Sequence, residues 1–301
     1  SVYDGLPSNR INALAEDRKG YLWIATRDGL ARYDGVGYRI WRVGDGLRDN
    51  HVWTVLVDDR DRVWVGTQNG GLSVLDARRR DFTHYGRDTH PGIGSDDVWS
   101  LAQTPDGAIW FGTADGGLHR LDGEGQVTRF MPEPGDPRSL PSASVTWLRT
   151  DREGRLWVGT YNGVARWTGR DFERVMPELE PAPAVNALVL DHDGDMWIVK
   201  VAGALVHRAG SGRVEPAPWR DPVLGQPPLG MLVQDRQGAH WLDTRSGLSV
   251  ERGGVVHDVP LYSSTSRGLV RPAWSAALED HEGGLWFASS AMGLWHLPAN
   301  W

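Results

Sequence analysis

Short apolar runs alternate with clusters of turn residues along the whole chain, and one tryptophan recurs at the same place in each cycle. The intervals between these tryptophans are about 40 to 47 residues, the period of four-stranded propeller blades. The chain therefore predicts seven copies of one structural unit, centred on Trp23, Trp64, Trp110, Trp157, Trp197, Trp241 and Trp286.

A common frame surrounds each of these tryptophans. An Asp lies six residues before the Trp in every copy except the third, which has Thr104. A Gly lies three residues before it except in the second copy, which has Asp61. Asp is one of the commoner non-glycine residues in the left-handed region, so we expect the same turn in all seven copies.

Each unit is expected to form four antiparallel strands. An apolar run such as Val52 to Val57 predicts an innermost strand buried on both faces. The Asp-x-x-Gly turn leads into the strand that carries the Trp, and a second Gly turn leads into a third strand. Segments such as Phe82 to Tyr85 alternate apolar and polar residues, as a half-exposed outer strand does.

One such sheet cannot bury both of its faces alone, so the seven sheets are expected to stack in a ring. The prediction is an all-β, seven-bladed propeller that occupies residues 1–301 as a single domain. The seven tryptophans are expected to pack between blades as structural residues. The seventh repeat is short of an outer strand, so we expect closure across the termini, with Ser1 to Tyr3 near blade seven.

Composition and charge narrow the functional classes. The formal net charge is -7, and no basic stripe is present, which argues against nucleic acid as a partner. The basic run Arg78 to Arg80 is expected to be a solvated turn. No apolar run reaches about 18 residues, no signal peptide is apparent, and there is no cysteine. A chain that begins with Ser1 is expected to be a piece of a longer protein.

The repeats resemble a known family. Gly5 to Asn9, Leu22 to Thr26 and Gly29 to Asp34 are similar to the two-component regulator propeller repeat, and the resemblance extends over all seven repeats. It is strongest in repeats one to four. Repeats five to seven depart from it, with Ile198 to Lys200 and Leu242 to Thr244 in place of an apolar residue, Gly and Thr.

The resemblance implies a function. Such propellers are similar to the extracytoplasmic sensor portions of bacterial receptors, in which a second propeller, an immunoglobulin-like domain, a membrane helix and a cytoplasmic kinase or cyclase follow. It therefore implies a periplasmic, non-catalytic input module that binds a small polar ligand such as an oligosaccharide, without a cofactor or metal. The further receptor domains and a homodimer mate are the other partners expected.

A ligand is expected at the mouth of the central channel, beside blades one to four. The turns there are rich in Asn, Asp and Arg, and additional aromatic residues lie near the starts of the innermost strands. Rings beside amides and carboxylates suit a polar ring-shaped ligand. The candidate ligand-binding residues are Asn9, Arg10, Arg27, Asp28, Asn50, His51, Trp53, Gln68, Asn69, Asp97, Trp99, Asp115, Trp147, Tyr161 and Asn162.

Other interpretations of these residues remain open. The Asp and Asn side chains could serve only their own turns, and the additional Trp side chains could pack only between blades. A protein-interaction scaffold is a second function. Propeller lyases and glycosidases are a third, with His51 as the candidate base of a lyase, or Asp97 and Asp115 as a carboxylate pair.

Overall fold

The computed structural model describes residues 4–177, 182–201, 203–262 and 268–301. These residues form seven antiparallel sheets arranged in chain order. The prediction of an all-β, seven-bladed propeller is confirmed. The strands are β1 (Ile11–Glu16), β2 (Leu22–Thr26), β3 (Gly29–Tyr33), β4 (Tyr38–Trp41), β5 (Val52–Val57), β6 (Val63–Thr67), β7 (Leu72–Leu75), β8 (Phe82–Tyr85), β9 (Val98–Gln103), β10 (Ile109–Thr113), β11 (Leu118–Leu121), β12 (Val127–Phe130), β13 (Val145–Thr150), β14 (Leu156–Thr160), β15 (Gly163–Trp167), β16 (Phe172–Arg174), β17 (Val185–Leu190), β18 (Met196–Lys200), β19 (Gly203–His207), β20 (Val214–Pro216), β21 (Gly230–Gln234), β22 (His240–Thr244), β23 (Gly247–Arg252), β24 (Val255–Val259), β25 (Trp274–Glu279), β26 (Leu285–Ser289) and β27 (Gly293–Leu297).

Blades one to six each contain four strands, and blade seven contains three in the part of the chain that the structure describes. The first strand of each blade is the innermost. The expected closure of the ring is seen between blades one and seven, where Ile11 and Ala288 belong to one buried cluster. The Ser275 hydroxyl donates to the Ile11 carbonyl across this junction at 2.6 Å. Ser1 to Tyr3, expected near blade seven, lie outside the described residues.

The Asp six residues before each Trp has two roles. In blade one, Oδ1 of Asp17 accepts from the backbone N–H groups of Lys19 and Tyr21, and Oδ2 accepts from the Trp23 indole at 2.8 Å. The carboxylate thus holds the turn and satisfies a buried indole N–H. The same indole bond recurs in every blade, and in blade three the hydroxyl of Thr104 replaces the carboxylate.

The left-handed turn residue also follows the expectation. Gly20 has a φ of 79°, and Asp61, which replaces Gly in blade two, has a φ of 60°. Positive φ at Asp61 costs less than at a β-branched residue, because its short side chain tolerates this region. The substitution therefore preserves the turn.

Six of the seven repeat tryptophans are buried, and Trp286 is only partly buried. The indoles of Trp23 and Trp64 pack against Trp41 and Tyr85 of their own outer strands. Blade seven has no outer strand among the described residues, so Trp286 lacks this cover. Trp286 in blade seven therefore agrees least with the prediction that all seven repeat tryptophans are buried between blades.

The prediction of a solvated turn at Arg78 to Arg80 is wrong for Arg79. Its guanidinium is buried, pairs with Asp17 at 3.3 Å and with Asp61 at 3.1 Å, and lies over the Trp23 ring. The side chain reaches back from blade two to the first turn of blade one. A charge run in the sequence does not reveal this pairing across a junction.

Candidate functional site

A central channel of about 960 Å³ runs between the innermost strands. Each of these strands carries a β-bulge, which changes the direction of the bulged side chain. In six blades the bulge falls on the second residue of the strand; these residues are Asn12, Trp53, Trp99, Thr146, Asn186 and Ser275. In blade six the bulge falls on Leu232 instead.

Several bulged residues hydrogen-bond to the next blade. Asn12 Nδ2 donates to the Val52 carbonyl at 2.8 Å, and the Thr146 hydroxyl donates to the Val185 carbonyl at 2.6 Å. Trp53 Nε1 donates to Oδ1 of Asp97 at 2.9 Å. The bulged residues therefore contribute both to the contacts between blades and to the surface of the channel.

The loops that enter the innermost strands and the loops between second and third strands lie at the same end of the propeller. Arg27 N–H donates to the Arg10 carbonyl, and Gln68 N–H donates to the His51 carbonyl. Gly29 N–H reaches the Asn50 carbonyl of the following blade at 2.6 Å. These backbone bonds make one continuous rim, which we call the mouth.

Beside blades two to four, the mouth carries a contiguous group of rings and one carboxyl. The His51 ring lies 4.2 Å from the Trp53 ring, and Trp53 donates to Asp97. The Trp99 ring lies 5.7 Å from the ring of Tyr161, which is exposed. The structure thus brings together His51, Trp53, Asp97, Trp99 and Tyr161, which we call the mouth cluster.

The mouth cluster perturbs its titratable groups. Burial raises the pKa of Asp97, and the nearby Asp115 carboxylate acts in the same direction, while Trp53 and Trp99 oppose the shift. Burial lowers the pKa of His51, and the Arg27 guanidinium lowers it further. Nε2 of His51 is buried and has no hydrogen-bond partner. Polar groups in this state are common where a ligand completes the site.

Other predicted residues make hydrogen bonds within the loops of the mouth. Asp28 pairs with Arg42 at 3.0 Å, and Asn50 Oδ1 accepts from the Val43 N–H. Asn162 Nδ2 donates to the Pro141 carbonyl at 3.4 Å. These side chains stabilise the loops of the mouth, and those of Asp28 and Asn162 do so outside their own turns.

The remaining predicted residues lie in the outer part of the mouth, except for Trp147, which lies in the channel. The Asn69 N–H donates to Asp49, and the Asn69 side chain is exposed, as is that of Arg10. Asn9 accepts a hydrogen bond from Gly293 through its carbonyl. Trp147 lies on β13 and lines the channel.

Three channel residues were missed at the sequence level: Arg149, Lys200 and Asp243. Each occupies a repeat position at which the other six blades have an uncharged residue. That departure is visible in the aligned repeats and could have identified them. Burial raises the pKa of Asp243 to about 7.

Two absences concern the described residues. They contain no group of three or more His, Cys, Asp or Glu side chains arranged to hold a metal ion. They also contain no helix that is long and apolar enough to cross a membrane.

Four segments of the chain match the sequence family described as two component regulator propeller. They are residues 5–28, 46–69, 92–115 and 139–162. Each segment runs from the loop before an innermost strand into the turn after the Trp strand. No curated protein matches the chain.

Solved structures show the same fold. The extracellular domain of a hybrid two-component system from B. thetaiotaomicron has a TM-score of 0.80 and 18% identity, over 99% of this chain and 41% of that one. A second such domain from the same organism has a TM-score of 0.77 and 19% identity, over 97% of this chain and 38% of that one. This chain thus spans about two fifths of their length.

A virginiamycin B lyase from Staphylococcus aureus is also similar. Its TM-score is 0.70 at 14% identity, and the match covers 95% of this chain and 94% of the lyase. Likeness at these identities establishes the fold and leaves the choice between sensor and enzyme to the residues of the site.

Proposed function

We propose that this chain, which carries the repeats of the two-component regulator propeller family, is the extracytoplasmic ligand-sensing part of a bacterial signalling receptor. The observation that carries the proposal is the mouth cluster. It offers aromatic surface from neighbouring blades beside the Asp97 carboxyl. The similarity to extracellular domains of two-component systems supports the cellular role.

The ligand class proposed is a small polar molecule with a ring, such as an oligosaccharide. Sugar rings stack their apolar faces on indole and phenol rings and bond their hydroxyls to polar side chains. Trp99 and Tyr161 provide such a surface, with Tyr161 open to solvent. The channel below it is large enough to admit several sugar rings.

A thermal-shift screen against soluble oligosaccharides tests the proposal. A ligand at one hundred times its Kd stabilises the folded state by about 2.7 kcal/mol, which is a clear shift in melting temperature. Tyr161→Ala is expected to weaken binding about tenfold through the loss of one stacking surface. Trp301→Ala removes a similarly exposed ring beside the first turn of blade six, at the end opposite the mouth, and is the matched control. If no compound shifts the wild-type protein, small-molecule sensing fails.

Asn69 gives a second test at the edge of the mouth. Its side chain is exposed, so Asn69→Ala is expected to change the melting temperature by little. Ligand binding is expected to weaken, because a hydrogen-bonding amide is lost. Titration of the same ligand against both proteins measures this difference, and an unchanged Kd removes Asn69 from the site.

A lyase is the second candidate, because carboxylates surround the His51 imidazole. Asp49 and Asp97 both act on its pKa, and a His near a carboxylate is a common arrangement for a general base. Incubation with a streptogramin B antibiotic, followed by mass spectrometry, decides between the two. A sensor leaves the compound unchanged, and a lyase converts it unless His51 is replaced by Ala.

A further inference from the structure

The seven repeats provide an internal control for every channel residue. Arg149 is paired with Trp157 in the β13–β14 register. At the same register the other blades have only aliphatic residues, which are Ala15, Leu56, Ala102, Val189, Val233 and Leu278. A cation at this position is therefore not needed to build a blade.

Lys200 departs from its repeat in the same way. It ends β18, where every other blade has a hydroxyl residue, and all six of these hydroxyls make bonds in the second turn, five of them by accepting a backbone N–H. Lys200 cannot replace them, because its ammonium group has no acceptor lone pair. Blade five thus loses a turn contact and gains a charge at the mouth.

Neither cation is neutralised by a carboxylate. Among the described residues, no ion pair within 4.0 Å involves Arg149 or Lys200. The Arg149 side chain is exposed to the channel, and the protein walls around it lower its pKa. A guanidinium that is in contact with channel water and has no carboxylate partner is available to an anionic ligand.

The carboxylates that line the channel are already engaged or hard to ionise. Glu16 accepts from the His281 N–H, and Asp151 accepts from the Trp157 indole and from Arg155. Asp243 is protonated below its raised pKa of about 7. Below about pH 7 the channel wall therefore presents more available positive than negative charge.

We propose that Arg149 forms an anion-binding position in the channel, with Lys200 as a second cation at the mouth, and that the ligand is an acidic saccharide. The proposal rests on the proposed function and names its ligand class. Trp147 and Arg149 are two residues apart on β13, so they are about 7 Å apart along one strand. A ring stacked on Trp147 would bring its carboxylate or sulfate group to the guanidinium, whose planar fork suits such groups.

Matched ligands test the charge requirement. Oligogalacturonate, hyaluronate and alginate oligosaccharides are titrated beside the methyl esters of the same compounds, which keep the rings and remove the charge. The acids are expected to bind at least tenfold more tightly than their esters. Equal binding of acid and ester overturns the anion-binding position and leaves ligand sensing intact.

Matched variants test the residue. Arg149→Gln is expected to reduce acid binding at least tenfold and to leave ester binding unchanged, whereas Arg149→Lys retains part of the affinity. Arg170→Gln removes an exposed Arg from the same blade, outside the channel, and is the control. The proposal is overturned if Arg149→Gln binds the acids as tightly as the wild type does.

If no saccharide binds, a test with inorganic sulfate distinguishes the anion-binding position from the proposed sensing of oligosaccharides. The melting temperature is measured in sodium sulfate and in sodium chloride at equal ionic strength, for the wild type and for Arg149→Gln. A larger sulfate-specific shift in the wild type supports the anion-binding position, and oligosaccharide sensing alone then fails. Equal shifts in the two proteins overturn the anion-binding position as well.

Discussion

Blades one to four and blades five to seven build the same sheet with different junctions. In blades two to four, a Gly two residues after the Trp lies against the first Val of the next innermost strand. A Cβ on Gly66, Gly112 or Gly159 would come within 2.9 Å of that valine. Glycine is required there because the next blade occupies the space that a side chain would need.

The later blades use other solutions. Blade five has Val199 at this position, and blade six has Gly230 on its innermost strand, where a Cβ would lie 3.0 Å from Val199. The large and the small residue have exchanged strands. Blade six has Asp243 at the same position, with Trp274 as the first residue of the next innermost strand.

Hydrogen bonds at the mouth end also differ between junctions, although blade seven resembles the early blades here, because Ser275 donates to the Ile11 carbonyl of blade one. Side chains of Asn12, Trp53 and Thr146 join the innermost strands or mouth loops of blades one to five. Among the described residues, no comparable bond joins blades five and six or blades six and seven at this end. The ring therefore requires a fixed volume at each junction, and does not require fixed residues or fixed polar contacts.

The largest expected effect concerns the tryptophans. Trp23→Ala is expected to reduce the free energy of unfolding by about 3 to 5 kcal/mol, through lost burial and a cavity. Trp286→Ala is expected to cost less, because its indole is only partly buried. Urea unfolding of both variants measures the difference, and an equal loss would contradict the weaker packing of blade seven.

The next effect concerns Asp243. Its folded-state pKa is raised to about 7, so wild-type stability is expected to fall as the pH rises from about 4 to about 7. Asp243→Ala removes this loss and is expected to be more stable at pH 8 by up to about 4 kcal/mol, at about 1.4 kcal/mol per pKa unit.

Urea unfolding of both proteins at pH 5 and pH 8 checks this prediction. The stability gain of Asp243→Ala over the wild type should be several times larger at pH 8. Titration of other groups cancels in this difference, and a gain independent of pH would contradict the burial of the carboxyl.

A glycine of the regular junctions gives a smaller effect. Gly112→Ala places a Cβ within 2.3 Å of Val145 and is expected to cost about 1 to 3 kcal/mol. Combined with Val145→Ala, it is expected to cost less than the sum of the two single changes, because the smaller residue makes room. Additive losses in the double mutant would show that the junction adapts in another way.

The smallest effect concerns one hydrogen bond between blades. Thr146→Val keeps the shape of the side chain and removes its bond to the Val185 carbonyl, at an expected cost of about 1 kcal/mol. The comparison is Asn186→Ala on the next innermost strand, where no such bond is present among the described residues. Thermal denaturation should distinguish the two, and equal shifts would contradict a stabilising role for this bond at the junction between blades four and five.

Most of the fold could be predicted from local sequence. The Asp-x-x-Gly turn and the repeated Trp specify a hairpin and its buried ring within a dozen residues, and these contacts are as expected. The candidate site was harder to predict. His51, Trp53 and Trp99 were recognised by residue type, but their contact depends on bulges and on neighbouring blades.

The sequence by itself determined the number of blades, the strand order within each blade and the bond from each repeat indole to its turn, because each follows from a pattern that recurs within one repeat. Only the tertiary structure decided that Arg79 crosses a junction and that Arg149, Lys200 and Asp243 face a common channel. Closure of the ring brings together residues that are tens to hundreds of positions apart in the sequence. The pattern within a single repeat does not reveal which of these residues meet.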